Sequence, residues 1–153
     1  MKIIKAVGCV ILAELIGGLG ALFTYTAIPT WYATLNKPSF SPPNYLFAPV
    51  WTLLYALMGL ALYLVWESKA KNKMWAYIVF YTQLVLNFLW SFIFFGQKIP
   101  GLAFVEIIIL WILILVNIVS FWRINKWAGI MLLPYIVWVS FASILNFALF
   151  KLN

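Results

Sequence analysis

The run FVEIIILWILILVNIV, Phe104 to Val119, carries only Glu106 and Asn117 as polar residues and is apolar on every side. An amphipathic helix needs a polar face, and a barrel strand alternates polar and apolar residues over about ten positions, so this run fits neither. It reads as a helix surrounded by hydrocarbon. Extended outward to Leu102–Trp122, it meets the requirement of about 20 apolar residues at about 1.5 Å rise each for crossing a bilayer core.

Four further segments meet the same requirement: Ile3–Ala27, Tyr45–Trp66, Met74–Phe95 and Ala128–Phe150. The spacing therefore predicts an all-α integral membrane bundle of five transmembrane helices in a single domain over residues 1–153. The connections Glu67–Lys73, Gly96–Gly101 and Arg123–Trp127 are short and force neighbouring helices to run antiparallel. Lys2 and Lys5 precede the first apolar stretch as in a secretory signal, but that stretch continues past Gly20 to Ala27 and is read as the first span. The composition agrees. Of 153 residues 67% are hydrophobic and 8% charged, too little charge for a water-exposed surface.

Several chemistries are excluded. There is no histidine, which removes the commonest metal ligand and imidazole acid–base work, and the one cysteine, Cys9, allows neither an internal disulfide nor a thiolate cluster. No metal and no cofactor is expected. The net charge of +7 is spread singly or in small groups between apolar runs, so it reads as lipid-headgroup contacts and topology signals rather than a nucleic-acid surface. Lys2, Lys5, Lys69, Lys71, Lys73, Arg123 and Lys126 fall on the amino-terminal side, and Lys37, Lys98 and Lys151 on the other. The positive-inside rule then places the amino terminus in the cytoplasm, with the first loop and the carboxy terminus outside.

The first connection, Pro29–Asn44, contains Pro29, Pro38, Pro42 and Pro43. Prolines fix φ and remove backbone donors, so this long segment is expected to be stiff and extended, a lid over one mouth of the bundle; a floppy connector is the alternative.

Polar and aromatic residues recur at helical spacing. Gln83, Asn87, Trp90 with Ser91, and Phe94 share a face of the third span; Tyr135, Trp138, Ala142 and Asn146 share one on the fifth; Trp51, Tyr55 and Met58 line the second. Such faces suit a flat conjugated ligand held by stacking, or else ordinary interhelical packing. Trp31, Trp66, Trp75, Trp122 and Trp127 sit at span ends and fit an interfacial belt. Glu14 lies deep in the first span, either bonded to another helix or in contact with a ligand, and Glu106 is placed to snorkel. Ala13, Gly17 and Ala21 form a small-residue ridge for close helix approach, within the bundle or between two copies. Pro134 frees the carbonyl of Ile130 and is expected to bend the fifth span.

The stretch Trp31-Tyr32-Ala33-Thr34-Leu35-Asn36-Lys37-Pro38-Ser39-Phe40-Ser41-Pro42-Pro43, with Phe47, Pro49, Trp51, Leu54-Tyr55, Met58-Gly59 and Val65-Trp66, resembles the TspO/MBR family of tryptophan-rich sensory proteins and mitochondrial translocator proteins, in its bacterial form. Leu86-Asn87-Phe88-Leu89-Trp90-Ser91 and Pro134-Tyr135 through Trp138, Phe141-Ala142 and Leu145-Asn146 continue the resemblance over nearly the whole chain. It implies a five-helix bundle, often a homodimer, in the bacterial cell membrane, with a pocket toward the first loop. The pocket would bind porphyrins such as protoporphyrin IX and isoquinoline carboxamide or benzodiazepine-type ligands. The matching pocket positions are Tyr32, Trp51, Asn87, Trp90, Trp138 and Ala142, and Lys37 lies near enough in sequence to meet porphyrin propionates. The resemblance also implies an alternative, light- and oxygen-dependent porphyrin breakdown with Trp51 and Trp138 as its catalytic residues. Transport of tetrapyrrole or sterol ranks third: the chain shows no inverted repeat, and the cholesterol pattern of animal members has Phe147 or Phe150 where it needs Tyr.

Overall fold

The structure is a computed structural model that describes all residues, Met1–Asn153. Its helices are α1 (Lys2–Ala27), α2 (Phe47–Glu67), α3 (Met74–Ser91), α4 (Pro100–Ile124), a short α5 (Lys126–Met131) and α6 (Leu133–Leu152), with no strand. Five helical segments are long and apolar enough to cross a membrane, the fifth being α5 and α6 together. Their outer faces carry Leu15, Leu22, Leu53, Ile109, Ile112, Val137 and Ile144, all exposed. On a water-soluble protein such a surface would aggregate; in a bilayer it faces lipid tails.

The chain departs from five uninterrupted helices at two places. Pro134 has no N–H to donate to the Ile130 carbonyl, and the fifth span is interrupted at Leu132, where φ is −89° and ψ −8°, before it restarts with Pro134 in the first turn of α6. The third span ends in a π-helical turn, Phe92–Gly96, in which Gln97 N–H donates to the Phe92 carbonyl at 2.8 Å. Asn125 caps the fifth span: its Oδ1 accepts from the backbone N–H of Trp127 at 2.9 Å and of Ala128 at 3.4 Å.

Two ties establish which ends lie together. Lys5 Nζ donates to Glu67 Oε1 at 2.8 Å, joining the amino terminus to the α2–α3 connection. At the other end, Asn36 N–H donates to Asn153 Oδ1 at 2.9 Å and Asn153 Nδ2 donates back to the Asn36 carbonyl at 3.0 Å, clasping the first loop to the end of α6. That loop holds two 3₁₀ turns, Tyr32–Thr34 and Asn44–Leu46, and is folded over the bundle rather than floppy.

In lipid, helices associate through packing and polar links, because hydrocarbon is as apolar as leucine. α1 packs on α2 and α3, α2 on α5, and α4 on α3 and α6. The α1–α2 contact is backbone-close: a Cβ on Gly59 would collide with the Val10 backbone, and one on Gly17 with the Tyr55 ring. Ala13 and Gly17 of the small-residue ridge are therefore used inside the bundle, whereas Gly8 and Gly18 have open space beside them. Glu106 does not snorkel. It is only 8% exposed, and neither carboxyl oxygen has a hydrogen-bond partner.

Candidate functional site

Toward the loop end the bundle holds a cavity of about 330 Å³, within the range of small-molecule sites. From α1 it is lined by Glu14, Gly17, Gly18 and Ala21, and from α2 by Trp51, Thr52 and Tyr55. Trp90, Ser91 and Phe94 close a second side, Trp138 and Ala142 of α6 a third, and Tyr32 and Phe47 lie under the loop.

Each aromatic is held by neighbours. The Trp90 ring stacks on Phe94 with centroids 5.0 Å apart, and its Nε1 donates to Asn146 Oδ1 at 3.0 Å. Asn146 Nδ2 in turn donates to the Pro100 carbonyl at 2.8 Å, so one amide fixes the indole and ties α6 to the start of α4. Trp138 sits between Phe47, 6.4 Å away, and Phe141, 5.4 Å away, and its Nε1 has no partner. Trp51 lies 5.7 Å from Tyr55 and 6.4 Å from Tyr135. Tyr32, 1% exposed, packs edge-on against Phe47 and tilted against Phe95, with the Lys37 ammonium 4.7 Å above its ring. Burial pushes the Tyr32 phenol above its ordinary value, so the hydroxyl stays a protonated donor, and it too has no partner.

Beneath the cavity runs a closed hydrogen-bond chain. The Tyr55 hydroxyl donates to Asn87 Oδ1; Asn87 Nδ2 donates to the Tyr135 hydroxyl oxygen at 2.8 Å; the Tyr135 hydroxyl donates to Gln83 Oε1 at 2.8 Å; Gln83 Nε2 faces Met58 Sδ at 3.8 Å. The chain links α2, α3 and α6 and satisfies every buried polar group in it, as a hydrocarbon setting demands.

The family model described as TspO/MBR family matches residues 9–152, nearly the whole of the chain that builds this cavity. The chain belongs to the TspO/MBR family. It is 46% identical over 153 residues to the tryptophan-rich protein TspO of Archaeoglobus fulgidus, covering 100% of this chain and 99% of that one. It is 35% identical over 123 residues to the tryptophan-rich sensory protein of Cereibacter sphaeroides, covering 80% and 77%, and 32% identical over 153 residues to the translocator protein of Bos taurus, covering 98% and 90%. As a member of the TspO/MBR family with five apolar helices, it is an integral multi-pass membrane protein.

Of the positions marked by resemblance to the TspO/MBR family, Tyr32, Trp51, Trp90, Trp138 and Ala142 converge on the cavity wall. Asn87 is not among the residues lining the cavity: at 3% exposure it lies behind Tyr55, in the closed chain. Lys37 rests on the Tyr32 ring and is also outside the wall. Trp111 pins α4 to α6 through its Nε1 and Ser140 Oγ, 2.8 Å apart. Trp31, placed by sequence in the interfacial belt, is half-buried with its ring 5.6 Å from Phe94. On the α1 wall, the sequence marks Glu14 as a ligand contact or an interhelical bond, and Gly17 and Ala21 as a packing ridge; all three line the cavity, together with Thr24 and Tyr25, which the spacing does not mark.

Proposed function

We propose that this membrane protein is a receptor or sensor for flat conjugated ligands, with porphyrins such as protoporphyrin IX as its main occupants and isoquinoline carboxamide or benzodiazepine-type molecules as others. The observation that carries this reading is the convergence of three indoles, Trp51, Trp90 and Trp138, on one cavity closed at the loop end by Tyr32 and Phe47. Indole faces give stacking area with few rotors to freeze, and the free donors of Trp138 and Tyr32 offer hydrogen bonds to ligand oxygens. We place the protein in the cell membrane with its amino terminus cytoplasmic, as the excess of basic residues at that end supports. The outward face of α1 on which Gly8 is unobstructed, among exposed Ile4, Ile11 and Leu15, supports pairing with a second copy.

Titration of the solubilised protein with protoporphyrin IX, read by quenching of indole emission, tests the reading. Trp51→Phe and Trp138→Phe are each expected to weaken binding about tenfold, or ~1.4 kcal/mol. Unchanged affinity in both would overturn it.

A second reading, light- and oxygen-dependent breakdown of the bound porphyrin, is favoured by the aromatic succession from Trp51 to Tyr55 and Tyr135, which lets an oxidised indole draw an electron from neighbouring phenols. Loss of the porphyrin absorption band on illumination in air, abolished in the Trp51 and Trp138 variants, supports it. Equal loss with an unrelated membrane protein removes it.

A further inference from the structure

Glu14 is a carboxyl in the wall of an intramembrane cavity without a counter-charge. The one ion pair of the protein is Lys5 with Glu67, and Glu14 takes part in none of the hydrogen bonds that satisfy the neighbouring Tyr55, Asn87 and Tyr135. It marks the inner end of the cavity. Ile28 lines the mouth, and a helix rising about 1.5 Å per residue puts Glu14 roughly 21 Å below it.

The same wall opens sideways. α1 and α2 press together at Gly59 and Gly17, but above that point Gly18, Ala21 and Tyr25 of α1 and Ala48 and Thr52 of α2 are exposed although they line the cavity. This window faces lipid. The cavity is also polarised across its walls: the Tyr32 hydroxyl under the loop and the Trp138 Nε1–H on α6 are donors without partners, and the Glu14 carboxyl on α1 is an acceptor in either protonation state. A carboxyl left unpaired at this depth is costly, and a ligand that donates to it recovers that cost.

We propose that Glu14 is a specificity-determining residue of this cavity, selecting membrane-dissolved flat ligands that carry an N–H or ammonium donor at the end reaching the α1 wall. The proposal rests on the cavity being the ligand site, and it adds which chemical class that site prefers.

The test is a double comparison in lipid nanodiscs, with 9-aminoacridine, a cation carrying N–H donors at neutral pH, and 9-methylacridine, a neutral ring without them, as flat probes of similar size. Quenching of indole emission reports binding, and comparing the probe ratio between protein variants cancels their different solubility in lipid. The wild type is expected to prefer the amino probe about tenfold. Glu14→Leu is expected to reduce that preference to about twofold or less, and Glu14→Gln, whose amide carbonyl still accepts, to retain part of it. The same preference in Glu14→Leu as in the wild type, or no preference in the wild type, overturns the proposal. If Glu14→Leu does not fold, the Glu14→Gln comparison decides: an undiminished preference there counts against the carboxylate. Wild-type titration with protoporphyrin IX separates the two levels. Porphyrin binding without donor preference defeats the role of Glu14 alone, and absence of porphyrin and probe binding together defeats the cavity reading itself.

Discussion

On α3, Gln83 and Asn87 are sealed between α2 and α6, whereas Trp90, Ser91 and Phe94, one to two turns further along the same face, line the cavity. Sequence spacing treats these residues alike. The difference arises from what α1 and α2 do at each level. At the inner level Gly59 lets the α1 backbone sit against α2, and polar groups from three helices complete one another's hydrogen bonds. At the outer level α1 and α2 both line the cavity beneath the proline-rich loop, and small residues such as Gly18 and Ala142 leave the indoles facing space. A membrane bundle can thus be tight and hollow along one helical stripe, and the partners decide which.

The largest expected effect sets two glycines of this contrast against each other. Gly59→Val drives a branched side chain into the Val10 backbone and is expected to cost about 3 kcal/mol, while Gly18→Ala, with nothing within 4 Å of the added carbon, is expected to be neutral. Thermal unfolding in detergent checks both, and equal losses would erase the distinction between tight and hollow levels. Next comes Asn87→Ala, which removes the shared partner of Tyr55 and Tyr135. Interhelical hydrogen bonds in membranes are worth about 0.6 kcal/mol on average and up to about 1.7, so a loss of roughly 1.5 kcal/mol for the pair is expected in the same unfolding measurement. The smallest effect tests the inner level alone. Asn117, 1% exposed, has neither amide atom bonded, so Asn117→Leu is expected to raise stability by up to about 1 kcal/mol and leave ligand titration unchanged.

The five spans were legible because bilayer thickness fixes how long an apolar helix must be. The break at Leu132 was foreshadowed by Pro134 as a bend, but the π turn at Phe92–Gly96 has no signal in composition. Helical spacing and family resemblance together located five residues of the cavity wall, since a face is what periodicity reports. Depth is not periodic. Asn87 shares a face with Trp90 yet lies behind Tyr55, and Glu106, near a span end in sequence, is held inside by the packing of α4 on α3 and α6. The two α1 roles, close contact at Gly17 and open wall at Gly18, come from adjacent residues of one type and separate only once Tyr55 is in place.

The claim that the hollow level of the stripe is the ligand site stands or falls with Ala142→Phe, which fills the space beside Trp138 while leaving the inner hydrogen-bond chain intact. In a protoporphyrin IX titration read by indole quenching, this variant is expected to bind at least about tenfold more weakly than the wild type while unfolding within about 1 kcal/mol of it. Wild-type affinity in a folded Ala142→Phe protein would contradict the claim.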